Sequence, residues 1–396
     1  MPKRILLLTF FYPPDISAGS FRSRALTEAL LERSADDVQI DVITTQPNRY
    51  HSHITDAKTV EEDDRFRIRR IQLPLHKSGF LDQAKAFISF AFHASRFASE
   101  SRYDVVVATS SRLMTAVLGS WVARRQHARL YLDIRDIFVE NLGELFSAPL
   151  SKSLTLFFGT FERWAIKRAD KVNLVTAGFL GYFQPKYPRQ RFSLYSNGVD
   201  DDFVDFPLAA STGAGAGQPL RILYAGNVGD GQGLHLIIPA LAKRLGGQVH
   251  FRIVGAGGRL PALRKAVVAN ELQNVEITAP VAREQLLDLY QQADVLFLHL
   301  NDFNAFKRVL PSKLFEYAAT GKPIWAGVAG YAADFVIAEI LNATVYAPCD
   351  IDGAVNALEQ LRLEQIPRPE FTERFSRRRI MRSMADDVLE LLSEAN

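Results

Sequence analysis

The segment Arg221–Leu234 reads RILYAGNVGDGQGL and indicates the fold of the region around it. The apolar run Arg221–Ala225 predicts a buried strand, and four glycines between residues 226 and 233 predict a tight turn before a helix that begins at Leu234. Glycine lets the backbone approach a ligand, and free N–H groups at a helix start form an anion site. The segment therefore predicts an α/β domain with a phosphate-sized site, although such turns also occur for packing reasons alone.

A second junction of the same kind follows at Val254–Leu260, VGAGGRL. It lacks the G-x-G-x-x-G spacing, so a dinucleotide fingerprint is not supported. On adjacent parallel strands, the two glycine-rich turns face the same crevice at the carboxyl ends of the strands.

The third element is Val309–Ile324, VLPSKLFEYAATGKPI. Ser312 is predicted to cap a helix that begins at Lys313, and Gly321 with Pro323 is predicted to end it. Lys313 and Glu316 are three residues apart and share a helical face. A lysine can hold a diphosphate, and a glutamate can accept both hydroxyls of a ribose. Taken alone, the pair is better explained as an ion pair on the surface of an amphipathic helix.

Short apolar runs alternate with amphipathic helical segments along the whole chain, which predicts two doubly wound α/β domains with parallel sheets and a cleft between them. A small-residue, Gly- and Pro-rich stretch reads as a flexible connector between them. The predicted division is an N-terminal acceptor-side domain at 1–205, a linker at 206–219, a C-terminal donor domain at 220–365, and a helical tail at 366–396 that packs back on the N-terminal domain.

The composition, with 47% hydrophobic and 23% charged residues among 396, is that of a globular protein. The one cysteine excludes an internal disulfide. Neither a signal peptide nor a run long enough to span a membrane is recognised, so we expect a cytoplasmic protein on the inner face of the cytoplasmic membrane. A nucleic-acid partner is not expected, because there is no basic run with interleaved aromatics.

The charge is uneven along the chain. The first 199 residues hold 28 Lys and Arg against 20 Asp and Glu. Two predicted helices in this half, Phe80–Ser99 and Ser151–Ala169, combine several aromatic residues with basic ones. Basic, aromatic helices suit contact with an anionic membrane surface, and suit core packing almost as well.

Several motifs together resemble the retaining GT-B glycosyltransferases of family 4, and in particular their bacterial branch for cell-surface polysaccharides such as O-antigen, capsule and exopolysaccharide. The three elements above occur in that family's order. The N-terminal half adds a glycine loop at Ala18–Arg22, an Arg-Asp segment at Asp133–Asp136, and an Asn-Gly-Val-Asp signature at Asn197–Asp200. The resemblance covers most of the chain, and it implies the GT-B fold.

The resemblance also implies which residues contact the donor and the reacting sugar. Arg135 and Asp136 lie where many relatives place a histidine near the transferred sugar, and they are the expected catalytic residues. The expected donor-binding residues are Gly19, Ser20, Gly226, Asn227, Gln232, Gly255, Gly257, Arg308, Ser312, Lys313, Leu314 and Glu316.

The chain departs from the family pattern at three of these positions. Asn227 and Gln232 stand where many relatives have an arginine and a lysine, and Arg308 replaces the leading glutamate. We hypothesise that Lys307, Arg308 and Lys313 supply the missing positive charge to the diphosphate.

The expected function is transfer of a sugar from a nucleotide-sugar, with a UDP-sugar preferred, to a lipid-diphosphate-linked or polysaccharide-precursor acceptor. Retention of configuration is implied by the family resemblance. No cofactor and no metal are expected, because no Asp-x-Asp motif of the kind used by metal-dependent transferases is recognised. The acidic run Asp200–Asp202 follows the Asn-Gly-Val element and is expected to lie on the surface. Two alternatives stay open, namely a sugar-nucleotide 2-epimerase and a catalytically silent nucleotide-sugar-binding protein.

Overall fold

The computed structural model describes residues 2–15, 17–47, 57–74, 80–110, 112–145, 148–204, 206–207 and 217–395. The chain divides into two compact units, the first made of Met1–Gly198 and Arg377–Asn396 and the second of Val199–Ser376. The chain enters and leaves the second unit side by side, since the Val199 N–H donates to the Phe375 carbonyl at 2.7 Å. Within the predicted linker, residues 208–216 lie outside the described residues.

The first unit is built on a sheet of eight strands within its described residues. These strands are β1 (Arg4–Leu8), β2 (Gln39–Thr45), β3 (Val60–Asp63), β4 (Phe66–Ile71), β5 (Val105–Ser110), β6 (Arg129–Ile134), β7 (Lys171–Leu174) and β8 (Phe192–Ser193). Their order is β3-β4-β2-β1-β5-β6-β7-β8, and all pairs are parallel except the antiparallel pair of β3 and β4. The helices are α1 (Ala18–Arg33), α2 (Phe80–Ala98), α3 (Leu113–Gln126), α4 (Phe138–Leu145), α5 (Ala148–Arg168) and α6 (Leu180–Lys186).

The second unit holds six parallel strands in its described residues, in the order β11-β10-β9-β12-β13-β14. They are β9 (Leu220–Ala225), β10 (Val249–Val254), β11 (Val275–Thr278), β12 (Val295–His299), β13 (Ile324–Gly327) and β14 (Ala343–Tyr346). Its helices are α7 (Leu234–Leu245), α8 (Leu260–Ala269), α9 (Arg283–Gln292), α10 (Ser312–Ala319), α11 (Tyr331–Glu339), α12 (Ile351–Glu359) and α13 (Pro369–Arg374).

Both faces of the second sheet are covered. Along β9, Ile222 and Tyr224 belong to one buried cluster, and Leu223 and Ala225 belong to the other. Successive strand residues point to opposite faces, so a strand that is apolar throughout requires helices on both sides. The predicted α/β class with two Rossmann-like domains is confirmed.

A last helix, α14 (Arg377–Ser393), belongs to the first unit. Its buried face includes Met384, Val388 and Leu391, which share a core cluster with Leu26 and Leu30 of α1. The tail predicted as one helical stretch is interrupted between α13 and α14, where Ser376 forms a β-bridge with Val199.

A buried ion pair ties α1 to the sheet of the first unit. The Arg22 guanidinium donates to both carboxylate oxygens of Asp133, at 2.8 and 2.9 Å, and each side chain is only 1% exposed. Arg22 also donates to the carbonyls of Tyr195 and Ser196, and the Asn173 amide donates to Asp133 at 2.7 Å. The charges are fully hydrogen-bonded, which is the condition under which a buried ion pair is tolerated.

Candidate functional site

The turn after β9 is closed by its own side chains. The Asn227 amide donates to the Gln232 side-chain carbonyl at 2.8 Å, and the Gly229 N–H donates to the same oxygen at 3.2 Å. The Tyr224 hydroxyl donates to the Asn227 carbonyl at 2.6 Å. The side chains of Asn227 and Gln232 therefore fix the shape of this turn.

The turn after β10 packs directly on the first turn. The Val228 N–H donates to the Ala256 carbonyl, and the Arg259 N–H donates to the Val228 carbonyl, both at 2.9 Å. A Cβ on Gly255 would overlap the Gly226 carbonyl, and one on Gly257 would overlap the backbone of Val228. Gly255 and Gly257 are thus required by backbone packing, whatever they contact in a donor.

Helix α10 brings Lys313 to the first turn. The Lys313 ammonium lies against Gly226, where a Cβ would collide with it, and 5.5 Å from the centre of the Tyr224 ring. Gly226 has φ +151°, a conformation that favours glycine. Burial lowers the pKa of Lys313 although nearby Glu316 raises it. A partly desolvated lysine beside a glycine-rich turn is suited to an anionic ligand.

Ser312 does not cap this helix, so that prediction is wrong. Helix α10 begins at Ser312 itself, Pro311 is the N-cap residue, and no side chain caps the first turn. Pro311 adopts φ −61° and ψ 130°, an extended conformation that proline favours. The Leu314 side chain is fully buried in the core and its N–H donates to the Pro311 carbonyl, so Leu314 has a packing role.

The Glu316 carboxylate accepts hydrogen bonds from two side chains, and neither of them is Lys313. The Arg283 guanidinium donates to one carboxylate oxygen at 3.1 Å, and the buried Tyr290 hydroxyl donates to the other at 3.1 Å. Among the described residues, Lys313 and Glu316 form no ion pair within 4.0 Å, so the surface ion-pair interpretation is wrong. Arg308 is the last residue of the 3₁₀ helix Asn304–Arg308, which precedes α10, and the Lys307 ammonium donates to the Asn304 side chain at 2.9 Å.

In the first unit, the structure brings Arg135 to Gly19. A Cβ on Gly19 would collide with the Arg135 guanidinium, which lies at the amino end of α1. Ser17 caps this helix by accepting from the Ser20 N–H at 3.1 Å, and Ser20 is fully buried. A guanidinium beside a helix amino terminus favours an anion. Asp136 follows β6 and is exposed.

Neither unit carries an evident metal site in the part of the chain that the structure describes, where no group of three or more His, Cys, Asp or Glu could hold an ion. None of the described helices is long and apolar enough to cross a membrane.

Comparison with known families gives a match for each half of the chain. Residues 21–198 match the glycosyl transferase 4-like domain, and residues 213–379 match the glycosyl transferases group 1. The chain is a glycosyltransferase with the GT-B fold. It is thus an enzyme that transfers glycosyl groups, and the coarser part of the predicted resemblance is confirmed.

Three proteins similar to this glycosyltransferase are informative. WcaI of Escherichia coli strain K12, described as a glycosyl transferase of colanic acid biosynthesis, is 34% identical over 100 residues, which are 25% of this chain and 24% of WcaI. The match therefore spans about a quarter of that relative. Anabaena HepE in complex with UDP-glucose superposes with a TM-score of 0.66 at 15% identity, over 99% of both chains. WaaG, a glycosyltransferase involved in lipopolysaccharide biosynthesis, gives 0.64 at 17% identity, over 99% of this chain and 98% of WaaG. The two structural matches establish the fold alone.

Sequence reasoning missed Arg283, which organises this site of the glycosyltransferase. Besides Glu316, its guanidinium pairs with Asp200 at 2.9 Å and Asp202 at 3.1 Å, and it lies 4.6 Å from the centre of the Phe203 ring. Burial alone would lower the pKa of Arg283, but the carboxylates of Glu316 and Asp200 raise it. One signal was available, because a basic residue at the first position of a helix is disfavoured by the helix dipole and implies a specific partner.

The buried side chain of His299 supports the turn after β9. His299 is 1% exposed, its Nδ1 donates to the Gln232 carbonyl at 2.7 Å, and its Nε2 accepts from the Cys349 N–H at 3.0 Å. Because the Cys349 backbone N–H can only donate, Nε2 is the unprotonated nitrogen and Nδ1 carries the proton. The ring is therefore neutral, and burial lowers its pKa to about 4.

The stability of the enzyme should depend on pH through His299. In the unfolded chain the imidazole gains a proton below its ordinary pKa of about 6.5, whereas in the folded protein it resists protonation down to about 4. The free energy of unfolding should therefore decrease by about 3 kcal/mol as the pH falls from 6.5 towards 4. Urea unfolding of the wild type and His299→Gln across this range measures the effect. An equal pH slope in both proteins would contradict it.

Proposed function

We propose that this glycosyltransferase transfers a sugar from a UDP-sugar to a lipid-diphosphate-linked saccharide at the inner face of the cytoplasmic membrane, with retention and without a metal. The proposal for the donor rests on the position of Lys313 against the glycine turn at Gly226, with Glu316 on the same helix.

The first step of the reaction requires a stabilised diphosphate leaving group. Lys313 supplies a positive charge beside the turn after β9, at the carboxyl end of that strand. Fixed donors and cations of this kind stabilise developing negative charge without reorganisation and without a metal. Because Asn227 and Gln232 are uncharged, a large share of that stabilisation falls on Lys313.

The ribose is assigned to Glu316. Arg283 and Tyr290 hold its carboxylate in one orientation, and each carboxylate oxygen has a further lone pair for a hydroxyl. Arg283 is thus a positioning residue for Glu316. A carboxylate fixed in this way discriminates ribose from a deoxyribose that lacks one hydroxyl, because its bond to that hydroxyl is not replaced.

The reacting sugar is assigned to Arg135 and Asp136. Both follow the carboxyl end of β6, and Arg135 lies against the amino end of α1 with Gly19. A guanidinium there can stabilise negative charge as the glycosidic bond to phosphate breaks. Asp136 is exposed, and at this position it can orient an acceptor or sugar hydroxyl.

The nature of donor and acceptor is supported by the relatives. HepE binds UDP-glucose, while WcaI and WaaG are connected with colanic acid and lipopolysaccharide biosynthesis. A lipid-linked acceptor and catalysis at the membrane surface agree with the excess of basic residues in the first half of the chain. Retention is carried over from the resemblance to family 4.

A thermal-shift screen with UDP-, GDP- and dTDP-sugars tests the donor assignment. We expect UDP-sugars to raise the melting temperature most, since a ligand at 100 times its Kd stabilises the native state by about 2.7 kcal/mol. Glu316→Gln should abolish the preference for ribose over deoxyribose donors, measured with UDP- and 2′-deoxy-UDP-sugars. Glu284→Gln, an exposed change one residue from Arg283, serves as the control.

Transfer itself is measured as release of UDP in the presence of lipid-linked saccharides extracted from membranes. A donor that binds but is never transferred or hydrolysed would contradict the proposed reaction. A preference for GDP- or dTDP-sugars would contradict the donor assignment.

A further inference from the structure

Three helices of the first unit, α2, α3 and α5, line an open apolar groove. The groove has a volume of about 510 Å³, and its walls include Phe87, Met114, Trp121, Phe161 and Trp164. This volume lies within the range of ligand pockets, about 300–1,000 Å³.

Further apolar side chains lie exposed beside the groove. Ile88 and Phe92 on α2 are each 67% exposed, and Phe157 on α5 is 57% exposed while its ring contacts Phe161. Large apolar side chains exposed next to an apolar groove mark a site of interaction rather than ordinary surface.

Trp121 also forms one wall of a second, polar pocket of about 540 Å³. This pocket is lined by Arg102, Arg125 and His127, all exposed. The Arg125 guanidinium lies 5.3 Å from the centre of the Trp121 ring. Within the described residues, neither Arg102 nor Arg125 forms an ion pair with a carboxylate. An apolar groove therefore opens beside two cations, which fits a ligand with an apolar chain and an anionic head.

The charge of the three helices favours an anionic partner. They carry only two acidic residues, Asp82 and Glu162, and Glu162 is buried. Their basic residues are Lys85, Arg96, Arg124, Arg125, Lys152, Arg163, Lys167 and Arg168. A symmetric dimer through this surface would bring like charges together, which opposes self-association.

The polar pocket is remote from the residues assigned to the reacting sugar. Arg102 and His127 precede the starts of β5 and β6, whereas Asp136 follows the end of β6. A strand of six residues separates the two edges by roughly 20 Å. A molecule bound at Arg102 and Arg125 is therefore distinct from an acceptor at Asp136.

We propose that this surface binds an anionic phospholipid of the membrane, with its phosphate at Arg102 and Arg125 and one acyl chain along α3 from Trp121 to Met114. These two positions are two helical turns apart, roughly 10 Å. The inference rests on the proposed work at a membrane surface, and it assigns the anchoring lipid to a site separate from the acceptor.

Vesicle co-sedimentation of the full chain tests the headgroup site. Phosphatidylcholine vesicles that contain phosphatidylglycerol should bind the protein, and vesicles of phosphatidylcholine alone should not. Arg125→Ala should weaken binding about 30-fold, as expected for loss of a hydrogen bond to a charged group. Arg124→Ala removes the same charge from the adjacent exposed position outside the pocket, and it should cost about fivefold or less. Equal effects of the two variants would overturn the proposal.

Binding of lysophosphatidylglycerols of increasing chain length tests the groove. Affinity should rise about fourfold for each methylene that enters it. This dependence should disappear in Trp121→Ser, with thermal melting confirming that the variant folds. A flat dependence in the wild type would refute the groove assignment, as would a dimer in analytical ultracentrifugation that Trp121→Ser dissociates.

The donor site provides an independent reference. Arg125→Ala should leave the thermal shift by UDP-sugar unchanged. Loss of all nucleotide-sugar binding with intact vesicle binding would refute the proposed function and leave the lipid site standing. Intact transfer with no preference for anionic vesicles would refute the lipid site alone.

Discussion

Lys313→Met should weaken donor binding about 100-fold while leaving the protein as stable as the wild type or more stable. The first effect follows because a buried hydrogen bond between charged groups contributes about 1.5–3 kcal/mol. The second follows because burial lowers the pKa of this lysine, which means that its charge opposes folding in the absence of a ligand. Methionine keeps the apolar stem and removes that charge.

Calorimetric titration with UDP and thermal unfolding of the free protein measure the two effects. Lys265→Met, at an exposed position on α8, is the control and should change neither. Arg308→Met tests the hypothesis that Arg308 shares the role. A Lys313→Met protein with normal UDP affinity would exclude Lys313 from the diphosphate site.

Asp133→Ala should lower the stability of the first unit by about 3–5 kcal/mol. The substitution leaves the Arg22 guanidinium buried without its carboxylate, and such uncompensated charges are among the most destabilising changes known for single residues. The carbonyls of Tyr195 and Ser196 still accept from Arg22, which favours the lower end of the range.

The expected fall in melting temperature is about 6–20 °C for a unit of this size. Asp386→Ala is the matched control, because Asp386 pairs with Arg33 where both side chains are about half exposed. That variant should differ from the wild type by less than about 1 kcal/mol. Two variants of equal stability would show that burial does not distinguish the two ion pairs.

The fold could be predicted because its strands are apolar on both faces. Val105–Ser110 and Val295–His299, for example, are buried throughout, and that pattern requires helices on both sides of a sheet. Strand β3 could not be predicted. Its sequence Val-Glu-Glu-Asp is largely exposed, and it is a strand only because it pairs with the edge of β4.

The site was predictable where its residues are close in sequence. Lys313 and Glu316 lie on one helix, and their residue types indicated a donor site. Arg283 was not found because its partners Asp200 and Glu316 are 83 and 33 residues away, and no local pattern reports such contacts. The error at Ser312 was local. Ser312 is a residue type suited to capping, but Pro311 before it already has the extended backbone conformation of an N-cap residue. The helix therefore begins at Ser312 itself.

The position of α14 has a consequence for how the chain folds during translation. Gly198 completes the first stretch of the first unit, but the helix that covers Leu26 and Leu30 begins only at Arg377. At about 5–20 residues per second, a ribosome needs roughly 10–40 s to make the intervening residues. For that interval the apolar face of α1 is without its covering helix. The half of the enzyme that is synthesised first is therefore the half that finishes folding last.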